Sequence, residues 1–358
     1  MARTALILGA SGGIGGATAQ ALAAEGWELR ALHRRPEALD RPDLPRMEVR
    51  RGDAMDWQAM CEAAAGADLI VHGLNPPRYR NWKGLALPML ERTIAAARAS
   101  GARILFPGTV YNYGPDVDVL VDEDAPQAPR TRKGRIRVAM EQRLAEEAER
   151  GVRSLILRAG DYFGANAPSS WLSNAIVRPG RPVRRVVYPG DPQVGHSWAY
   201  LPDLGRAMAA LAGIEHKLPA FDRFHFEGYW LERGGDFAEC IRAIVGGNPP
   251  IVPLPWLGIR LLAPFNESLR ETLEVRELWY RPLRLDGRKL CATLGDLPQT
   301  PLADALVACL RGLGCLEGQP LVNSRSNGLT GKNHNTATIA AQAMPSHGEM
   351  KLSGSPSA

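Results

Sequence analysis

The chain has few of the residues from which disulfide-built and metal-built proteins are made. Its 358 residues include five cysteines, Cys61, Cys240, Cys291, Cys309 and Cys315, an odd number with no C-x-x-C pair among them. That argues against a disulfide framework or a structural zinc site and leaves reduced thiols as the expectation. Histidine is scarce, seven in all, and neither His nor Cys clusters at ligand spacing, so no metal site is expected. No apolar run reaches the roughly 18 residues that a membrane helix requires. The first nine residues run from a short apolar stretch straight into a glycine-rich turn, so they read as a strand and not as a signal peptide. These absences make a membrane partner unexpected and the cytoplasm the expected compartment. Charge of one sign is lacking too. Against 43 basic residues stand 38 acidic ones, a formal charge of +5, and the two signs are interspersed, so nucleic acid is not an expected partner.

What is present suits a globular α/β protein. Hydrophobic residues make up 45% of the chain, enough to bury a sizeable core. Short apolar runs at 5–8, 28–32, 47–50, 69–72, 103–106 and 154–157 alternate with helical patterns at 13–25, 57–65, 85–100 and 135–150. Glycines follow several of these helices, as at Gly26, Gly66, Gly101 and Gly151. The alternation predicts βαβ units on a parallel sheet, a Rossmann-type doubly wound fold. Beyond about residue 160, Pro and Gly interrupt the pattern. We therefore expect a dinucleotide-binding domain over 1–164, a smaller substrate-binding region over 165–317, and a disordered tail over 318–358, where Ser, Asn, Thr and Gly dominate.

The first βα junction reads Gly9-Ala10-Ser11-Gly12-Gly13-Ile14-Gly15. Glycines there permit a tight turn, and the missing Cβ atoms let the backbone approach a pyrophosphate. The helix start beyond them offers unpaired N–H groups and a positive dipole end. At the end of the second strand an NAD-selective site carries an acid for the ribose 2′-hydroxyl. Here the chain reads Leu32-His33-Arg34-Arg35 instead. Arg34 and Arg35, with Ser11, suit a 2′-phosphate, so NADP(H) is the expected cofactor ahead of NAD(H).

The loop, Gly52-Asp53 after the third strand, and Val71-His72-Gly73-Leu74-Asn75 after the fourth together resemble the extended short-chain dehydrogenase/reductases, the NAD-dependent epimerase/dehydratase family. The resemblance runs over about residues 3–310 and is firm to about 165. It implies that Asp53 contacts the adenine amino group, that Gly73 and Leu74 lie along the ribose and pyrophosphate, and that Asp161 passes the nicotinamide. It also implies a hydroxyl at the end of the fifth strand, and Thr109 in Thr109-Val110-Tyr111-Asn112-Tyr113-Gly114 matches it. The family's acid/base pair, Tyr-x-x-x-Lys on the next helix, is missing: Lys133 stands in the tyrosine's place and Arg137 in the lysine's.

Three readings follow. Lys133 handles the proton, its pKa lowered by burial and by Arg132, Arg135 and Arg137. Alternatively Tyr111 or Tyr113 substitutes. In the third reading the site binds NADP(H) without turnover. The first expectation is NADP(H)-dependent oxidoreduction of a carbonyl or secondary alcohol on a small molecule. A nucleotide-sugar epimerase or dehydratase is the alternative, with Arg178, Arg181, Arg184 and Arg185 as candidate diphosphate contacts, and a non-catalytic NADP(H)-binding regulator is another. His196 reads as an isolated structural residue. Helices flanking such sheets leave a homodimer open.

Overall fold

The computed structural model describes residues 2–76 and 81–316. The tail expected over 318–358 lies outside the described residues. The strands are β1 (Thr4–Leu8), β2 (Glu28–His33), β3 (Glu48–Arg51), β4 (Leu69–His72), β5 (Arg103–Thr109), β6 (Leu120–Val121), β7 (Ser154–Ala159), β8 (Asp161–Phe163), β9 (Val186–Tyr188), β10 (His196–Tyr200), β11 (Phe221–Phe226), β12 (Tyr229–Leu231), β13 (Ile251–Pro253) and β14 (Arg284–Leu285). Seven of them form one parallel sheet in the order β11-β7-β5-β4-β1-β2-β3. This is the Rossmann-type α/β fold. The order reverses between β1 and β4, and in open parallel sheets that crevice is where ligands bind.

The strands are apolar on both faces because helices cover both faces. With the side-chain period of two, Ile7, Val71, Leu105 and Leu157 point to one layer, where they meet Leu204, Met208 and Leu211. Leu6, Leu8, Ile70, Ile104 and Ile156 point to the other, against Met60, Leu90, Ile94, Met140 and Leu144. The helices involved are α1 (Gly13–Ala24), α2 (Trp57–Ala64), α3 (Trp82–Ser100), α4 (Arg132–Ala148) and α5 (Leu201–Gly213).

The element boundaries differ from the sequence pattern where caps intervene. Asn81 accepts from the Gly84 amide and starts α3 at Trp82, and Thr131 accepts from the Gly134 amide and starts α4 at Arg132. β5 also continues through Pro107-Gly108 to Thr109, held by pairing with Leu157–Ala159 of β7.

The chain crosses the division expected at residue 164. α5 packs against α1, and β11 becomes the edge strand beside β7. The described residues fall in one compact unit, Met1–Glu317. Within it a separate cluster gathers around Phe163, Trp198, Phe237 and Trp279. It draws on β8, β9 and β10, on α6 (Asp236–Val245) and on α10 (Leu302–Gly312). The remaining helices are α7 (Trp256–Leu262), α8 (Glu267–Glu274) and α9 (Arg288–Leu294).

Between sheet and α4 lies a fully buried ion pair. Arg158 on β7 is 0% exposed, and its Nη2 lies 2.6 Å from Oε2 of Glu141 on α4. Its Nη1 donates to the Tyr113 hydroxyl at 2.6 Å, and that hydroxyl also meets Nε2 of His225 on β11 at 2.7 Å. Removing one partner of a buried pair strands the other charge. Glu141→Ala should therefore lower unfolding stability by about 3–5 kcal/mol, read from the urea midpoint. An unchanged midpoint would contradict the pair's structural role.

Candidate functional site

At the carboxyl ends of β1 and β4 three backbone segments touch. Gly9 has φ +81, and a Cβ there would stand 2.4 Å from the Gly73 carbonyl oxygen. A Cβ on Gly15 would stand 2.3 Å from the Gly9 oxygen. Neither position admits a side chain. The Gly12 amide closes the turn on the Gly9 oxygen at 2.9 Å. α1 then begins behind Gly12 with no side-chain cap and no acid in its first turn, so its first amides and dipole end are open to an anion. Gly13 and Ile14 open that first turn, and Leu74 follows Gly73 along the same rim.

The residues after β2 group around His33, which the sequence reading had not assigned. Its Nε2 lies 3.1 Å from Ser11 Oγ, and its Nδ1 lies 2.6 Å from the Arg35 carbonyl oxygen. The Arg34 and Arg35 side chains are exposed, with no ion pair among the described residues. Asp53 accepts from the Met55 amide at 2.9 Å in the turn after β3. Its signal in the sequence is the family pattern alone.

At the other end of the crevice Arg137 is buried between the rings of Trp82 and Phe106, 5.3 and 5.6 Å from their centroids. It donates to Asn75 Oδ1 at 3.0 Å, and its Nε has no hydrogen-bond partner among the described residues. Beneath it His72 bonds Thr93 through Nδ1.

Lys133 is buried as well. Its Nζ lies 3.1 Å from Glu271 Oε2 and donates to the Glu271 carbonyl at 2.9 Å. Arg132 joins the same carboxylate and that of Glu274. The basic run that opens α4 thus has its counter-charges on α8, about 140 residues downstream. Burial lowers the Lys133 pKa, Glu271 opposes the shift, and Arg132 adds a little. The lowering expected from several neighbouring arginines is therefore mainly desolvation, and Lys133 is engaged by Glu271 instead of facing open space.

Thr109 ends β5. Its Oγ1 accepts from the Tyr111 amide at 3.3 Å and caps the short turn Val110–Asn112. The hydroxyl proton has no acceptor among the described residues. Tyr111 lines a small cavity with Thr131, Glu274 and Arg281. Tyr113 is 3% exposed with its hydroxyl held by Arg158 and His225, and burial pushes its pKa up. It is a core residue and does not serve as a substitute acid.

Asp161 also departs from expectation. Its Oδ2 lies 2.9 Å from His196 Nε2, with His196 buried and Asp161 partly so. The parallel pairing of β8 with β10 brings them together. The His196 ring stacks on Trp279, centroids 4.2 Å apart and 13° from parallel. Val110, Asp161, His196, Leu278 and Arg281 line one cavity just beyond Thr109. The sequence separation of 35 between His196 and Asp161 hid this pair from a reading by spacing.

A glycine turn and an uncapped helix start at the switch point of a parallel sheet define a dinucleotide-binding protein of the Rossmann class. The profile of the NAD dependent epimerase/dehydratase family matches residues 5–219, and the chain belongs to that family. Among solved structures it is similar to MoeE5 in complex with UDP-glucose and NAD, at 19% identity over 87% of this chain and 98% of that one, TM-score 0.66. A nucleoside-diphosphate-sugar epimerase from Pseudomonas aeruginosa shares 20% identity over 88% and 99%, TM-score 0.62. A dTDP-glucose 4,6-dehydratase from Streptomyces venezuelae, solved with NAD, shares 19% over 87% and 96%, TM-score 0.63. At these identities the likeness is one of fold. No curated protein matches the chain.

The buried His72 gives a test of how this site is built. Desolvation, aided by Arg137, lowers its pKa from 6.5 to about 3. Between those values the unfolded chain binds a proton that folded His72 refuses, so stability falls as pH drops. His225 behaves alike, lowered to about 3 by burial and Arg158. Unfolding stability should decline from pH 6.5 toward 4.5 by up to about 1.4 kcal/mol per pH unit for each histidine. His72→Leu should remove about half of that slope. A His72→Leu slope equal to wild type would show that His72 is protonated in the folded protein.

Proposed function

We propose that the chain is a dinucleotide-dependent enzyme of the epimerase/dehydratase type, in which a hydride passes between NAD(P) and a secondary alcohol or carbonyl carbon of a small substrate. The observation that carries this reading is the single edge of the sheet shared by the cofactor cradle, the Thr109 hydroxyl and the Asp161–His196 pair. The turn Gly9–Gly15 with Ser11, Gly12, Gly13 and Ile14 holds the pyrophosphate. Asp53 holds the adenine, Gly73 and Leu74 flank the ribose, and Arg137 with Asn75 meets the nicotinamide ribose. When bound, the cofactor supplies the hydride acceptor or donor.

Thr109 donates a hydrogen bond to the substrate oxygen. His196 takes or returns the substrate's hydroxyl proton at Nδ1, with Asp161 on Nε2 holding the ring and balancing the positive charge it acquires. Lys133, ion-paired to Glu271, holds α8 against α4. The likeness to proteins solved with UDP-glucose or acting on dTDP-glucose makes a nucleotide-activated sugar the first substrate class to test. Arg281, which lines the cavity, is the cation we assign to its diphosphate. The exposed Arg34 and Arg35 favour a second reading, net reduction of a carbonyl with NADPH.

Two measurements bear on this. In calorimetric titration NADPH should bind more tightly than NADH, and Arg34→Ala should remove about 1.5–3 kcal/mol of the difference. Equal affinities in the wild type would reject the 2′-phosphate site. Turnover, followed as epimerisation of UDP-glucose and as NADPH oxidation with a panel of aldehydes and ketones, should fall roughly 10²–10⁴-fold in His196→Gln with cofactor affinity intact. If Lys133→Met shows that loss and His196→Gln does not, the proton passes through Lys133. No turnover with any of these, alongside tight NADPH binding, would favour a binding protein.

A further inference from the structure

α7 and the turn after it carry apolar side chains that pack on little. Leu257, Leu261, Leu262 and Phe265 are 72%, 66%, 59% and 89% exposed, and α7 contributes no buried residue. Single exposed leucines need no explanation, but four large apolar side chains on one short segment do.

The segment is fastened from behind. The Trp256 indole donates to the Pro189 carbonyl at 2.6 Å, and the Arg270 guanidinium donates to the carbonyls of Ala263 and Pro264 at 3.3 and 2.9 Å. Arg276 lies over the rings of Trp256 and Tyr280, 5.6 and 4.5 Å from their centroids. The apolar tips are therefore presented on a built support.

Charge around the ridge is sorted by sign. The acids of α8 turn inward: Glu267 accepts from the Asn81 amide, and Glu271 and Glu274 receive Arg132 and Lys133. Glu277, on the turn after α8, is exposed. Facing solvent are Arg260 on α7 and, on the loop leading into β9, Arg178, Arg181, Arg184 and Arg185. None of these five has an ion-pair partner among the described residues. β9 pairs with β13, and β13 runs into α7. The arginine loop and the apolar ridge are thus tied to opposite ends of one ribbon roughly 10 Å long.

We propose that this ridge is a peripheral docking surface for an anionic phospholipid bilayer. Leu257, Leu261, Leu262 and Phe265 enter the acyl boundary, and Arg260 with the arginine loop meets the headgroups. The contact is peripheral, since no helix among the described residues is long and apolar enough to cross a membrane. A second copy of the chain is the weaker fit. The patch exposes on the order of 500 Å², short of the roughly 800 Å² per partner of a stable interface. The surface adds a partner that a search for spanning segments does not detect, and it is independent of the reaction proposed above.

The test is co-sedimentation of the full chain with vesicles of phosphatidylcholine alone or mixed with phosphatidylglycerol. Binding should appear with the mixed vesicles, weaken at high salt, and fall by about tenfold or more in Leu261→Glu/Phe265→Glu. Arg184→Glu/Arg185→Glu should weaken it in the same direction. Because the substituted side chains are exposed, melting temperature and NADPH affinity should stay unchanged, which separates this result from the fate of the proposed activity. Absence of wild-type binding, or full binding by the Leu261→Glu/Phe265→Glu variant, overturns the proposal. So does analytical ultracentrifugation showing a wild-type dimer that this variant dissolves, which would make the ridge a self-contact.

Discussion

The backbone contact among Gly9, Gly15 and Gly73 sets the geometry of everything above it. The Gly9 carbonyl rests against Gly15 in the first turn of α1, and the Gly73 carbonyl rests against the Cα of Gly9, at separations that leave no room for a Cβ on Gly9 or Gly15. That packing draws α1 close to the sheet where the strand order reverses, and it aims the uncapped helix start into the crevice. Dinucleotide binding, the position of Thr109 along the same edge, and the reach of Asn75 to Arg137 follow from it.

A second dependence links the two halves of the chain. α4 begins with a run of cations, which a helix N-terminus disfavours through its dipole. The penalty is offset by carboxylates from α8, and Lys133 is buried in the process. Lys133, in the first turn of α4, is tied to α8 and does not line the cavity beyond Thr109. That cavity is lined instead from β8 and β10, where Asp161 bonds His196 and the His196 ring stacks on Trp279. The same α8 segment follows the apolar ridge, so the surface proposed to meet lipid and the clasp on α4 belong to one continuous stretch. The buried Arg158–Glu141 pair, with Tyr113 and His225, fastens α4 to β7 and β11 of the sheet.

The sequence by itself determined the parallel sheet, its six earlier strands, the four crossover helices and the glycine turn, because each depends on interactions within a few residues: short continuous apolar runs, helix caps and the conformational freedom of glycine. It also marked Thr109 and the residues after β2 and β3. Tertiary structure alone decided what the charged residues do. Lys133 found Glu271, Asp161 found His196, Tyr113 found Arg158, and Phe221–Phe226 found the edge of the main sheet, each across many residues. A buried charge is settled by whichever opposite charge the packing brings within bonding distance, and that partner leaves no periodic trace in the chain.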